Sequence, residues 1–202
     1  MNKVIVDTDF LNHIIRTPNG ASILEKIIIF FDYELLIHPW TYERELVYTD
    51  VKKFVDKNVK ILTFDDIILD EGDNSIYESL FKVLFEEMNG RSVDFGRQNF
   101  KTYNKSGENL GEIHSVIAAQ FLGIPLLLSD DYHAKETAAR RLNFLGYNLN
   151  VKNSFDLLCE MIIKDKSNVS KDDAIKIIKN YKERYHEKYI KQIKELYKRY
   201  EA

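Results

Sequence analysis

Short apolar runs alternate with longer amphipathic stretches along most of the 202-residue chain. Runs rich in aliphatic side chains recur at residues 4–6, 35–37, 59–62, 126–128 and, more weakly, 147–151. Each has the length of a strand, and unbroken apolarity marks a strand that is covered on both faces. The segments between them carry helical spacing. Asn19-Gly20 leads into a helix near 21–31, and Pro39 leads a second through about Val55. Ser75 opens a third that Asn89-Gly90 ends, Gly111 opens a fourth, and a fifth spans 132–145 before Gly146. Strands separated by helices predict an α/β fold of three layers, a central parallel sheet between two sets of helices.

Two segments stand outside this alternation. Residues 91–109 are polar and poor in aliphatics, which predicts a long inserted loop. Arg91, Arg97, Lys101 and Lys105 alternate there with Phe95, Phe100 and Tyr103. That mixture suits phosphates and unpaired bases, so Arg97 and Lys101 are candidate substrate contacts. After Ser170-Lys171-Asp172 the pattern predicts one long charged helix to the end of the chain. It carries a stripe of Ile175, Ile178, Tyr181, Tyr185, Tyr189, Ile193 and Leu196. Such a stripe must pack on something, whether the core, a second copy in a homodimer, or a separate inhibitor protein. The expected organisation is a domain over 1–163 and a charged helical extension over 164–202.

Composition narrows the class of protein. The longest apolar stretch, at 27–31, is too short to cross a bilayer. A single cysteine, Cys159, and a start that runs straight into a strand point to a cytoplasmic protein with no membrane partner. The net charge of −3 hides an asymmetry: 12 Lys/Arg against 7 Asp/Glu from Lys164 onward, and 17 against 25 before it. A uniformly basic nucleic-acid binder is excluded, but an acidic pocket that recruits cations is not.

Acidic residues sit at the ends of the most apolar elements. Asp7 follows the first strand and Asp130/Asp131 follow 126–128, which puts acids from two strands on one sheet edge. Glu112 opens the fourth helix. Glu43 and Glu45 lie on the Pro39 helix, about 200° apart, so one alone can face a site. Periodicity through Trp40, Val47, Val51 and Phe54 favours Glu43. Asp9 reads as a helix N-cap, as does one of Asp130/Asp131. His114 flanks the apolar stripe of its helix from the other side, a place from which it could assist the acids, although a lone histidine is more often a packing or surface residue. Carboxylates cost several kcal/mol to bury unpaired, so acids gathered in this way predict a bound cation. Hard carboxylate oxygens suit Mg²⁺ or Mn²⁺.

Over residues 1–163 these segments, in this order, resemble the PIN domain, a small α/β nuclease fold found in VapC-type toxins of toxin–antitoxin pairs and in RNA-processing enzymes. VIVDTDFL is similar to the family's opening strand, with its aspartate at Asp7. IHPWTYEREL is similar to the proline-led helix whose glutamate precedes leucine, which selects Glu45. LGEIHSVIAAQFLGIPLLLSDDYHAKETAARRLNFLGY is similar to the branch with Gly-Glu at the helix start and Asp-Asp after the next strand. The resemblance implies a metal-dependent endoribonuclease. Asp7, Glu112, Asp130 and Asp131 would hold metal, and Glu45 would hold a second ion or orient the attacking water. RNA is the implied substrate and an antitoxin the implied partner. The opening reads Asp7-Thr8-Asp9 where the family commonly has Asp-Thr-Asn, and both the 91–109 loop and the tail exceed a minimal toxin.

Other chemistries lack their signatures. The turn after the first strand, DTDFLN, has no glycines for a dinucleotide, and there is no Walker-type loop. No nucleophile elbow is present, Cys159 sits in an apolar helix, and the five histidines show no zinc-ligand spacing. The competing readings are a PIN-like binding or assembly module without nuclease activity, and a nuclease directed at DNA.

Overall fold

The computed structural model describes residues 1–131, 134–181 and 183–199, without the side chains of 135, 166 and 183–185. The chain runs β1 (Asn2–Val6), α1 (Thr8–Ile15), α2 (Gly20–Phe31), β2 (Tyr33–Ile37), α3 (Pro39–Arg44), α4 (Thr49–Asn58), β3 (Lys60–Ile61), α5 (Phe64–Ile67), α6 (Glu71–Asn89) and α7 (Leu110–Phe121). Then come β4 (Leu126–Leu128), a π-helical segment (Ala134–Ala139) running into α8 (Arg140–Phe144), β5 (Asn150–Lys152), α9 (Ser154–Lys164), α10 (Lys171–Ile178) and α11 (Glu183–Arg199). The first two residues of the predicted 132–145 helix lie outside the described residues, as does the side chain of Tyr185.

The five strands form one all-parallel sheet in the order β3-β2-β1-β4-β5. Because side chains alternate along a strand, β1 sends Val4 and Val6 to one face and Ile5 to the other. On the first face they meet α1, α2, α4 and α9; on the second, α6, α7 and the 91–109 loop. Both faces are buried, which is why the strands read as continuous apolar runs. The direction of strand progression reverses between β1 and β4, the place where open parallel sheets bind their ligands. The acids after β1 and β4 emerge there. None of the described helices is long and apolar enough to cross a membrane.

Three expectations need correction. The Pro39 helix stops at Arg44, and the chain restarts as α4 at Thr49. The tail is not one helix: it breaks after Ile178, and Ile177, Ile178, Tyr181, Ile193 and Tyr197 are buried in the same core as β1. Its stripe therefore docks back on its own chain. The aromatics of the 91–109 loop do not wait for bases. Phe100 and Tyr103 are 2% and 4% exposed, and Phe95 packs on Phe81 and Tyr103.

Candidate metal centre

Asp7 ends β1 and caps α1, its Oδ1 accepting from the Thr8 N–H at 2.8 Å. Its Oδ2 accepts from the Ser129 hydroxyl at 3.0 Å, a bond spanning the β1–β4 reversal. Next along the chain, the Thr8 hydroxyl donates to Glu45 Oε2 at 2.9 Å. Glu45 also accepts from the Gly111 N–H at the start of α7. One line of bonds, Ser129–Asp7–Thr8–Glu45–Gly111, thus joins the four segments that carry the acids. Gly111 is required for that approach, because a Cβ there would overlap the Glu45 carboxylate.

In front of this line, Asp9, Glu112 and Asp131 each offer a carboxylate oxygen, and the three lie within 4.8 Å of one another. That spacing suits oxygens around one hard cation, whose own distances to oxygen are about 2.0–2.6 Å. Two unit charges at such a separation repel by about 3–4 kcal/mol at an effective dielectric of about 20, so the group needs protons or a cation. The electrostatics agree. Burial, then the charge of Asp7, pushes Glu45 up to about 8; burial, then Glu45, pushes Glu112 up to about 8. Burial and the charge of Glu112 hold Asp7 well above the usual carboxylate range.

The structure sorts the expected site residues. Asp7, Glu45, Glu112 and Asp131 come together. Asp130 does not join them: its carboxylate accepts from Ser154 N at 2.6 Å, Ser154 Oγ at 2.9 Å and Tyr181 OH at 2.5 Å, and meets His13 Nδ1 at 2.8 Å. It is a fully buried tie between β4, α1, α9 and the tail, and its oxygens are already engaged. Burial of the His13 ring opposes its charge, but the bond to Asp130 and that residue's charge outweigh it and raise the pKa. Asp9 is not the N-cap that position alone implied, since Asp7 fills that role and frees Asp9 to face Glu112. Glu43 is exposed while Glu45 is drawn inward. The periodicity that favoured Glu43 ran through Val47, Val51 and Phe54, which lie beyond the end of α3; Val47 is 74% exposed.

The second face of the sheet holds the two glutamate-bearing segments in register. His38 caps α3 with Nδ1 accepting from the Trp40 N–H at 3.1 Å, so its hydrogen is on Nε2 and is donated to the Tyr77 hydroxyl at 3.1 Å. Tyr77 then donates to His114 Nδ1 at 2.7 Å. His114 keeps its hydrogen on Nε2, which faces the Phe100 main chain at poor hydrogen-bonding geometry. Burial holds His38 well below its ordinary pKa and His114 at about 3, so both rings are neutral. His114 is therefore a packing residue, two positions from Glu112, stacked on His38 at 4.7 Å.

Among the described residues, Arg97 and Lys101 touch neither the acidic cluster nor the cavity beside it. The Lys101 ammonium lies over Phe64 and Phe100, at 5.4 and 5.8 Å from their ring centres. The later part of the same loop does reach the site: a cavity of about 240 Å³ adjoins Glu45, with Arg44 and Lys105 on its walls. Its signal in the sequence was the basic residue directly before Glu45. No family model, curated protein or solved structure matches this chain.

Proposed function

We propose that the chain is a Mg²⁺- or Mn²⁺-dependent endoribonuclease of the cytoplasm; the toxin of a toxin–antitoxin pair is one role that its PIN-like segments would allow. The observation that carries this reading is the convergence of Asp9, Glu112 and Asp131 within 4.8 Å at the sheet's reversal point, with Asp7 and Glu45 behind them. The segments that resemble the PIN domain are the ones that supply these acids. The donor set is all carboxylate, the choice of a hard divalent cation.

Asp9, Glu112 and Asp131 would hold the ion. Bound there, it supplies Lewis acidity toward a phosphodiester and the water that attacks it. Asp7 holds Thr8 and Ser129 in place, and through Thr8 it fixes the Glu45 carboxylate. Glu45, ionised once a cation offsets the charge of its neighbours, would orient the attacking water and take its proton while the bond from phosphorus to the leaving oxygen breaks and that oxygen is protonated from solvent. A glutamate held near pH 8 in the metal-free protein is closer to neutral pH than an ordinary carboxylate and better matched to proton transfer there.

The test is cleavage of end-labelled single-stranded RNA with Mg²⁺, with Mn²⁺ and in EDTA. Wild type should cut only with the ion, and Asp9→Asn and Glu112→Gln should lose at least a hundredfold. Metal-independent cleavage that survives both substitutions, or no cleavage of any strand, refutes the reading. In the second case the fold serves as a binding module.

A further inference from the structure

The cavity beside Glu45 plays no part in holding the ion, yet it is built around a fixed frame. Its walls are Trp40, Arg44 and Glu45 on one side and residues 104–110 on the other. Buried Glu108 anchors that segment, accepting from Tyr103 OH at 2.8 Å and pairing with Arg91 and, at 3.4 Å, with Lys105. The Trp40 indole donates to the Tyr103 carbonyl at 3.0 Å, and the Asn89 amide to the Glu108 carbonyl at 3.1 Å. Gly107, at φ +79°, turns the main chain where a side chain would be strained.

We propose that this cavity receives the single nucleotide next to the scissile phosphate of a single-stranded RNA; the assignment rests on reading the acidic centre as a nuclease site. Position is the first argument. Glu45 is at once a wall of the cavity and part of the acidic centre, so a strand with one phosphate at the ion has its neighbouring unit against this wall.

Charge is the second argument. The acidic cluster repels phosphates, and the cations on the cavity rim offset this. Arg44 is exposed and makes no ion pair among the described residues. Lys105 keeps a side chain 59% exposed, and its single partner leaves further N–H donors for a ligand.

Hydrogen-bonding capacity is the third. Asn104 and Ser106 line the space with exposed polar side chains, and the main-chain N–H groups of residues 104–107 donate to no acceptor among the described residues. Such a wall reads the edge of an unpaired base, whereas a duplex would keep that edge covered. Size is the fourth. About 240 Å³ is below the roughly 300 Å³ at which pockets begin to take drug-sized molecules, so the space fits one base with part of its sugar.

The experiment is fluorescence anisotropy with a labelled five-nucleotide RNA in EDTA, which separates this proposal from the metal reading; calorimetric titration with Mn²⁺ alone tests the latter. Single abasic positions are moved along the strand. In wild type, one position should weaken binding about tenfold, the scale of one base contact, and the others less than twofold. Arg44→Gln, at an exposed site where the fold is not at stake, should lower affinity and flatten the salt dependence by about 0.7 in log–log slope. Adding Lys105→Gln should flatten it further, while Arg97→Gln leaves it unchanged. A level abasic scan, an unaltered slope in Arg44→Gln, or no RNA binding by wild type overturns the proposal, even if Mn²⁺ binds.

Discussion

Removing charge from the acidic centre should stabilise the metal-free protein, and the effect should depend on pH in a defined direction. Glu45 and Glu112 have ordinary values of 4.5 and are held at about 8 in the fold. Between those limits the native state keeps protons that the unfolded chain has released, so stability falls as pH rises across the window. For one carboxyl the interval is worth about 5 kcal/mol. The two groups repel each other and both retain some contact with solvent, so about 3–5 kcal/mol for the pair is a sounder figure. In a domain of this size that corresponds to roughly 10 °C in melting temperature. Urea and thermal unfolding from pH 5 to pH 8.5 in EDTA should show the decline, and Glu45→Gln/Glu112→Gln should remove most of it. His13, whose pKa is also raised, acts in the same direction and is common to both proteins; Asp7, raised in part by the charge of Glu112, shares in the difference, which therefore reports the acidic centre as a whole. Mg²⁺ at about a hundred times its Kd should restore about 2.7 kcal/mol to wild type at pH 8 and nothing to the variant. A wild-type protein in EDTA that is as stable at pH 8.5 as at pH 5, or a variant that is less stable at pH 8.5, refutes the reasoning.

Four further outcomes follow from the geometry. Glu45→Gln should lose cleavage while Glu43→Gln, at an exposed position, keeps most of it in the same RNA assay. Gly111→Ala should displace the Glu45 carboxylate and lower kcat at least tenfold with little change in RNA affinity. Tyr77→Phe strands the His38 Nε2–H and His114 Nδ1 in the core and should cost about 2–4 kcal/mol in urea unfolding, more than removal of one exposed hydroxyl. Tyr181→Phe withdraws a donor from buried Asp130 and should cost about 1–3 kcal/mol, whereas a change below about 0.5 kcal/mol would show that the tail does not hold the β4 edge.

The sheet was readable because burial on both faces leaves the inner positions of its three central strands apolar: residues 4–6, 35–37 and 126–128 needed no periodicity to be recognised. Helix ends were harder. Nothing in the local spacing of Trp40 to Phe54 shows that the chain leaves α3 at Arg44, because a break in a helix is decided by tertiary contacts, here the pull of Thr8 and Gly111 on Glu45. The short segment that resembles the PIN domain pointed to the glutamate that lies beside Thr8, Asp7 and Glu112, whereas periodicity pointed to Glu43. Within Asp130-Asp131 the sequence is symmetrical, and the partners that separate the two, Ser154 and Tyr181, lie 24 and 51 residues further along. Asp9 was misread for a local reason: it has the right identity for a cap but sits two residues after Asp7, which takes the position. The loop aromatics were misread because their core partners, among them Phe81 and Phe85 on α6, cannot be deduced from the polar neighbours of Phe100 and Tyr103.

The bond from Ser129 to Asp7 joins residues 122 positions apart, and the strand before Asp7 pairs with neighbours at very different distances along the chain. Its β2 neighbour follows after α1 and α2 alone, whereas its β4 neighbour lies beyond α7. Closing a loop of that length is entropically costly and slow, and nothing nearer in sequence substitutes for it. The Asp130 tie then adds Tyr181 from near the other terminus. An N-terminal fragment ending before β4 contains Asp7, Asp9, Glu45 and Glu112 but lacks Asp131, the third acid of the cluster, and Ser129, the partner of Asp7. If the cluster binds a cation as proposed, that affinity would appear only once Asp131 has joined Asp9 and Glu112, and its appearance during refolding would time the pairing of β1 with β4.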